Sequence, residues 1–328
     1  MTTAALLSPS GGLGKAGESH LFKVALALLD VAQEFQRFQA SDARRIGGRL
    51  GCEVELLFAG NSARVQERQL RELIGRPALH RPGLIVAQPV GGDRLSDIAS
   101  EAARQGIGWM LINPRVDYVD RLRRTHPALP IAAVSADQGE IGRLQGRQLV
   151  ARRGSHHGLV LCVQGPSHTA AARDRLAGMR EVLSRTAISI EVVEGDWTES
   201  GGFKAVSAWI RARRAPWNRW FGGDARLPSA LVCHNDHMAL GARRALREHL
   251  PTGSALPVTF GVDGLPEGGQ RLVDLGELSA TVIVPANAGP AIHLALGRLR
   301  HETPLPAEVL MCPLSYPSLS ELARKSTG

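Results

Sequence analysis

The run Cys233-His234-Asn235-Asp236-His237-Met238 sets two imidazoles, an amide and a carboxylate at consecutive positions, where the apolar stretch Leu231-Val232-Cys233 passes into a segment of helical period. Polar groups of this kind can face a ligand. At a strand-to-helix junction they also stand beside the free N–H groups of a first helical turn. Val and Leu before the break favour a strand, and Met238-Ala239-Leu240 opens an apolar helical face. Asp236 has two readings here, a helix cap or a ligand contact. In an open parallel sheet the crevice beyond the carboxyl ends of the strands is where such residues meet a ligand.

The elements that must position this junction repeat along the chain. Strand-length apolar runs at 22–29, 53–58, 83–87, 109–112 and 131–135 alternate with helical periods over 33–50, 63–73 and 95–105. The layout starts again with a helix over 141–152, a strand at 158–163 and a helix over 171–183. Strand 188–193, helix 201–213, strand 230–233, helix 238–250 and strand 258–262 complete it. The spacing predicts an α/β protein of two Rossmann-like, doubly wound parallel-sheet lobes. The closing pieces at 279–283, 288–300 and 308–312 are too few for a third domain and are read as crossings, giving a multi-strand hinge. The expected division is a flexible tail over 1–20, one lobe from 21–136 with 285–312, and a second from 137–284 with 313–328.

At 328 residues the chain exceeds one ordinary hydrophobic core, which agrees with two domains. No window approaches a membrane span. The net charge of +8 comes from Arg spread through helical segments, with Lys only at 15, 23, 204 and 325, and no basic helix-turn-helix or zinc-finger spacing accompanies it. Nucleic-acid binding by this chain alone is therefore not expected. Cys52, Cys162, Cys233 and Cys312 are far apart and form no metal motif, so neither metal nor cofactor is expected. Gly11-Gly12-Leu13-Gly14-Lys15 lacks the strand before it and the Ser or Thr after it that a phosphate loop requires. The absence of a Gly-x-Ser-x-Gly elbow or a strand-linked Gly-x-Gly-x-x-Gly argues against an enzyme, with an enzyme on the same α/β plan kept as the second alternative.

Three motifs together resemble type I periplasmic binding proteins and the effector domains of LacI-type regulators, nearest to ribose-like sugar-binding proteins. They are Cys233–Ala242, Ala171-Ala172-Arg173-Asp174-Arg175-Leu176-Ala177-Gly178-Met179, and Phe260-Gly261-Val262-Asp263-Gly264. The resemblance spans about Leu21 to Ser318. It implies a receptor that closes two lobes on a sugar or polyol, with Arg173, Asn235 and Asp263 bonding ligand hydroxyls. Their other readings are a surface helix charge and two turn residues. From the first lobe it implies Asp30, Phe35 and Gln36, with Phe35 set against the sugar ring or buried on a helix face. Asn113 stands where the family commonly has an Asp, Pro114 disturbs the placement of Arg115, and Asp137 lines the cleft or caps the next helix. Val284 replaces a Gln common in sugar binders. His168, His234 and His237 have no counterpart in the family pattern and are read as structural. Trp197 stacks on ligand or is buried between helices.

The partners implied are a monosaccharide or sugar-like polyol and an ABC-transporter permease or signalling protein, with the chain itself a monomer or homodimer. The family resemblance implies the periplasm. No secretory signal is visible in 1–20, which keeps a cytoplasmic regulator's effector-binding domain as the alternative reading.

Overall fold

The computed structural model describes residues 21–113, 116–154, 158–214 and 227–324. The tail over 1–20, with its glycine-rich run, and Pro114-Arg115 lie outside them. Two six-stranded sheets organise the chain. The first holds β1 (Phe22–Leu28), β2 (Cys52–Phe58), β3 (Leu84–Ala87), β4 (Gly108–Ile112), β5 (Ile131–Ala136) and β11 (Glu308–Met311) in the order β11-β5-β4-β3-β1-β2. The second holds β6 (Gly158–Gln164), β7 (Ile188–Glu194), β8 (Ala230–Cys233), β9 (Val258–Asp263), β10 (Ala280–Ile283) and β12 (Leu314–Tyr316) in the order β12-β10-β9-β8-β6-β7. All pairings are parallel except the last, where β12 runs antiparallel to β10.

Both sheets reverse direction of winding beside their first strand, between β1 and β3 and between β6 and β8. This places a crevice at the carboxyl end of each sheet. The central strands are buried throughout, as expected when helices cover both faces. The chain passes between sheets after β5, after β10 and after β11. A small core of Ala136, Ile141, Leu144, Val262, Val282 and Val284, with Phe35 packed against it, fills the region of the first two passages.

The helices are α1 (Glu34–Arg49), α2 (Ala63–Ile74), α3 (Ser96–Arg104), α4 (Tyr118–Thr125), α5 (Gln138–Arg153), α6 (Ala170–Leu183), α7 (Glu199–Arg214), α8 (Asp236–His249), α9 (Arg271–Asp274), α10 (Ala288–His301) and α11 (Leu319–Arg324). Four pieces go beyond the periodicity reading: α4, α9, β12 and α11. In α4 the buried face is only Tyr118, Val119 and Leu122 amid Arg and Asp, too short a stripe to register in a window of two turns.

The helices of the second lobe cross at glycines. A Cβ on Gly142 of α5 would overlap the carbonyl of Arg175 in α6, and one on Gly178 would overlap the carbonyl of Gly139. In the same way Gly241 of α8 meets the backbone of Glu199 and Phe203 in α7, while Gly202 meets that of Met238. Backbone contact this close fixes where α6 and α8 begin, and both begin at the crevice.

Gly142→Ala must therefore push α5 from α6, and a loss of about 1–3 kcal/mol or more is expected in urea denaturation. Gly48→Ala, in α1 with nothing within 4 Å of the added carbon, should instead stabilise by about 0.5–1 kcal/mol.

Candidate functional site

Helix α8 starts at the junction that opens the sequence argument. Asn235 is its cap: its side-chain oxygen accepts from the Met238 N–H at 2.8 Å, and its amide nitrogen donates to the Trp197 carbonyl at 2.9 Å. Asp236 is the first helical residue, and its carboxylate turns inward. It accepts from Gly264 N–H at 2.9 Å and from the Thr281 hydroxyl at 2.7 Å. Gly261 and Gly269 lie so close that a Cβ on either would overlap this carboxylate. Burial, then the neighbouring Asp263 charge, hold Asp236 well above the usual carboxylate range. The cap is Asn235 instead, and both Asp236 oxygens are engaged within the protein. Asp236 ties α8 to β10 and to the turn after β9.

Asp263 ends β9 with φ at +105°, a conformation that L-residues avoid and that asparagine and aspartate tolerate best. Among the described residues none donates a hydrogen bond to its carboxylate. Burial pushes it up to about 6, against the pull of Arg175 and His237, while Glu34 adds to the rise.

The guanidinium at this point is that of Arg175, which is 6% exposed. Its Nε donates to Gln138 Oε1 at 2.8 Å, another nitrogen donates to the His234 carbonyl, and the group lies 5.6 Å from the centre of the Trp197 ring. Trp197 in turn stacks on the His234 imidazole, centroids 6.5 Å apart. His234 accepts from Gly165 N–H at 3.4 Å. Burial, with Arg175 adding, takes it down to about 3, so it is neutral at physiological pH. Arg173 is elsewhere. It is exposed on α6 and donates to the carbonyls of Ser167 and His168, at 3.3 and 2.7 Å. The helix period explains the exchange: Ala172, Arg175, Met179 and Leu183 share the buried face, and Arg173 falls outside it. That 3-4-4 spacing was readable in the sequence.

From the first lobe, the start of α1 meets this region. Glu34 Oε2 lies 3.2 Å from His237 Nε2, and its carboxylate rests against Gly268 in the turn after β9. Glu34 had no signal in the sequence beyond its place beside Phe35. The other residues expected from this lobe are placed as follows. Phe35 is half-buried against the core between the lobes, tilted toward Phe38 with centroids 6.0 Å apart. Gln36 is buried, its side chain accepting from Leu29 N–H at 3.2 Å, and Asp30 accepts from Ala32 N–H at 3.0 Å and Asn61 at 3.1 Å. These two hold the loop after β1. Asn113, at φ +46°, accepts from the Asn287 amide at 2.8 Å, which joins the end of β4 to the second crossing. Asp137 caps α5, accepting from Glu140 N–H at 2.8 Å. Val284 is buried in the core between the lobes. His168 is exposed.

Two doubly wound lobes, a cleft at their carboxyl ends and three interconnections describe a known architecture, and a family model for periplasmic binding protein domains matches residues 24–289. The chain belongs to this family. Among its relatives, the galactofuranose-binding protein YtfQ of Escherichia coli K12 is 26% identical over 251 residues, 75% of this chain and 73% of that protein. The lactose operon repressor of E. coli is 30% identical over 167 residues, 51% of this chain and 39% of the repressor. As a periplasmic binding protein domain the chain also shares its fold with solved members. The binding component of the arabinose ABC transporter from Shewanella sp. ANA-3, bound to L-arabinofuranose, aligns over 93% of this chain and 95% of that one, with a TM-score of 0.75 at 19% identity. The Caulobacter myo-inositol binding protein, with its ligand, aligns over 95% and 99%, with a TM-score of 0.73 at 19% identity.

The raised Asp263 fixes a sign for pH. A carboxyl whose folded value lies above its unfolded value of 3.8 favours folding below about 4, and that share is lost as pH rises through about 6. Asp263→Asn, which keeps the positive φ accessible, should gain stability relative to wild type between pH 4 and 7, by at most about 3 kcal/mol. Paired denaturant titrations of ligand-free protein at both pH values measure this. His234 acts oppositely and equally in both proteins: its neutral form supports folding above about 6.5, and that support falls as pH drops toward 3.

Proposed function

We propose that this protein is a non-enzymatic receptor that closes its two lobes around a monosaccharide or cyclic polyol, serving ABC-type uptake from the periplasm. The observation that carries the reading is the convergence of Arg175, Asn235 and Asp263 at the carboxyl ends of β6, β8 and β9, opposite Glu34 and Phe35 of the first lobe. Each retains bonding capacity. Two of the five guanidinium N–H groups of Arg175 are engaged within the protein, and Asn235 keeps one N–H and one lone pair. The Asp263 carboxylate has no donor among the described residues. Fixed donors and acceptors side by side suit vicinal hydroxyls, each of which both donates and accepts. Half-buried Phe35 offers an apolar edge to ring C–H groups.

Ligand contacts from both lobes favour the closed arrangement over the open one, and closure is the signal a permease reads. The relatives named above for galactofuranose, arabinofuranose and myo-inositol support this ligand class. Similarity to the lactose repressor supports a second reading, an effector-binding half of a regulator. Capture of the protein by a membrane permease in the sugar-bound state separates the two, since a regulator would show none.

A thermal-shift screen over pentoses, hexoses and polyols is the direct test, because a ligand at a hundred times its dissociation constant adds about 2.7 kcal/mol. With a sugar so found, Arg175→Lys or Asp263→Asn should weaken binding in calorimetry by about 1–3 kcal/mol. Arg173→Ala should leave the affinity within about twofold, as among the described residues its guanidinium bonds the carbonyls of the loop before α6. Equal losses at 173 and 175 would refute the assignment.

A further inference from the structure

A guanidinium on its long side chain can turn unless it is held at more than one point. Arg175 is held at two. Its Nε–H donates to Gln138 Oε1 at 2.8 Å, and a terminal nitrogen donates to the His234 carbonyl at the end of β8. The second anchor is backbone, fixed by the strand. The first is a side chain. Because a guanidinium offers no acceptor, the oxygen of the Gln138 amide must be the atom turned toward it.

The position of Gln138 gives this contact its meaning. It is the first residue of α5, directly after Asp137, whose side chain caps the helix and whose N–H donates to the Met311 carbonyl at 3.1 Å. The acceptor therefore stands at the hinge, where the first and third passages leave the first sheet. Farther along the same two helices, Gly142 lies against the carbonyl of Arg175 itself, and Gly178 against that of Gly139. Both the backbone and the side chain of Arg175 are located by α5.

We propose that Gln138 is a positioning residue for ligand capture: from the hinge it fixes the plane of the Arg175 guanidinium, so that the remaining N–H groups face the cleft before a sugar arrives. This rests on the receptor reading above and adds the residue that aims Arg175. Since α5 and α6 belong to one lobe, the anchor holds in open and closed arrangements alike. The ordering of Arg175 is then completed on folding and not charged to binding.

Two measurements test this. In arginine Nε–H correlation spectra of ligand-free protein, the Arg175 signal is identified by its loss in Arg175→Lys. It should be sharp and slow to exchange with water in wild type and Gln138→Glu, which keeps the acceptor. It should broaden or vanish in Gln138→Leu, and in Gln138→Asn, whose shorter side chain withdraws the oxygen. Calorimetry then uses L-arabinose, D-ribose, D-galactose, D-allose and myo-inositol, with the tightest of them as the probe. Gln138→Leu should weaken its binding about tenfold or more, and Gln138→Glu by no more than about threefold. Gln138→Leu combined with Arg175→Lys should bind within about twofold of Arg175→Lys alone. A residue that merely steadied the lobe would weaken binding by the same factor in both backgrounds. That additivity, a failure of Gln138→Glu to restore binding, or an Arg175 signal unchanged in Gln138→Leu overturns the proposal. If Gln138→Leu does not fold, Gln138→Asn, a milder change at a partly buried first helical position, is judged by the same criteria. If Arg175→Lys weakens binding and the Gln138 variants do not, the positioning role fails and the receptor reading stands. If Arg175→Lys binds as wild type does, or no sugar or polyol binds, both fail.

Discussion

A buried carboxyl group holds this site together. Asp236 begins α8 and bonds the turn after β9 and the hydroxyl of β10 with its two oxygens, while Gly261 and Gly269 lack side chains where the carboxylate needs room. A buried polar group is tolerated only when its bonding is complete, and completing it forces three strands and a helix into one register. The consequence appears one residue away on either side. Asn235 and His237 are presented at the mouth of the cleft, and Asp263, just before the Gly264 N–H that Asp236 holds, is kept at a positive φ it would not adopt alone.

Small residues extend the same logic to the helices. The backbone contacts of Gly142 and Gly178 bring α6 against α5, and those of Gly202 and Gly241 bring α8 against α7. The first contact carries Arg175 inward to meet Gln138 at the start of α5, directly after the first crossing between lobes. The second seats Trp197, in the segment before α7, against the Asn235 amide. Guanidinium, indole and imidazole then form a stacked wall in which Arg175 stays charged, stabilised by Asp263 and Asp236 against the cost of its burial, while His234 is held neutral. The wall belongs to one lobe. What faces it, Glu34 and Phe35, comes from the first turn of α1, held in place by Gln36 bonding the end of β1.

The alternation of strand and helix was legible in the sequence because buried parallel strands are continuous apolar runs, and several of the helices between them, α2 and α3 among them, are amphipathic. The short helix α4 and the antiparallel β12 were not, since three apolar residues carry too little periodicity and an edge strand follows its neighbour rather than its own composition. At the site, the Asn235 junction and the Asp263-Gly264 end of β9 were readable as strand-to-loop transitions. Motif similarity pointed to Arg173, which lies exposed, while the phase of the helix face turns Arg175 inward. Asp30, Gln36 and Asp137, expected at the ligand, each have their side-chain acceptors engaged by backbone or neighbouring groups.

The sequence by itself determined the doubly wound class, the doubled layout and the strand ends at which chemistry gathers, because periodicity and capping are local properties written in neighbouring residues. Only the tertiary structure decided which arginine is buried, that Asp236 ties α8 to β10 and to the turn after β9, and that Glu34 meets His237. Those outcomes depend on contacts between segments some 200 residues apart along the chain, such as Glu34 with His237. Contacts at that range are set by how helices pack and how the lobes meet, which no short window of residues encodes.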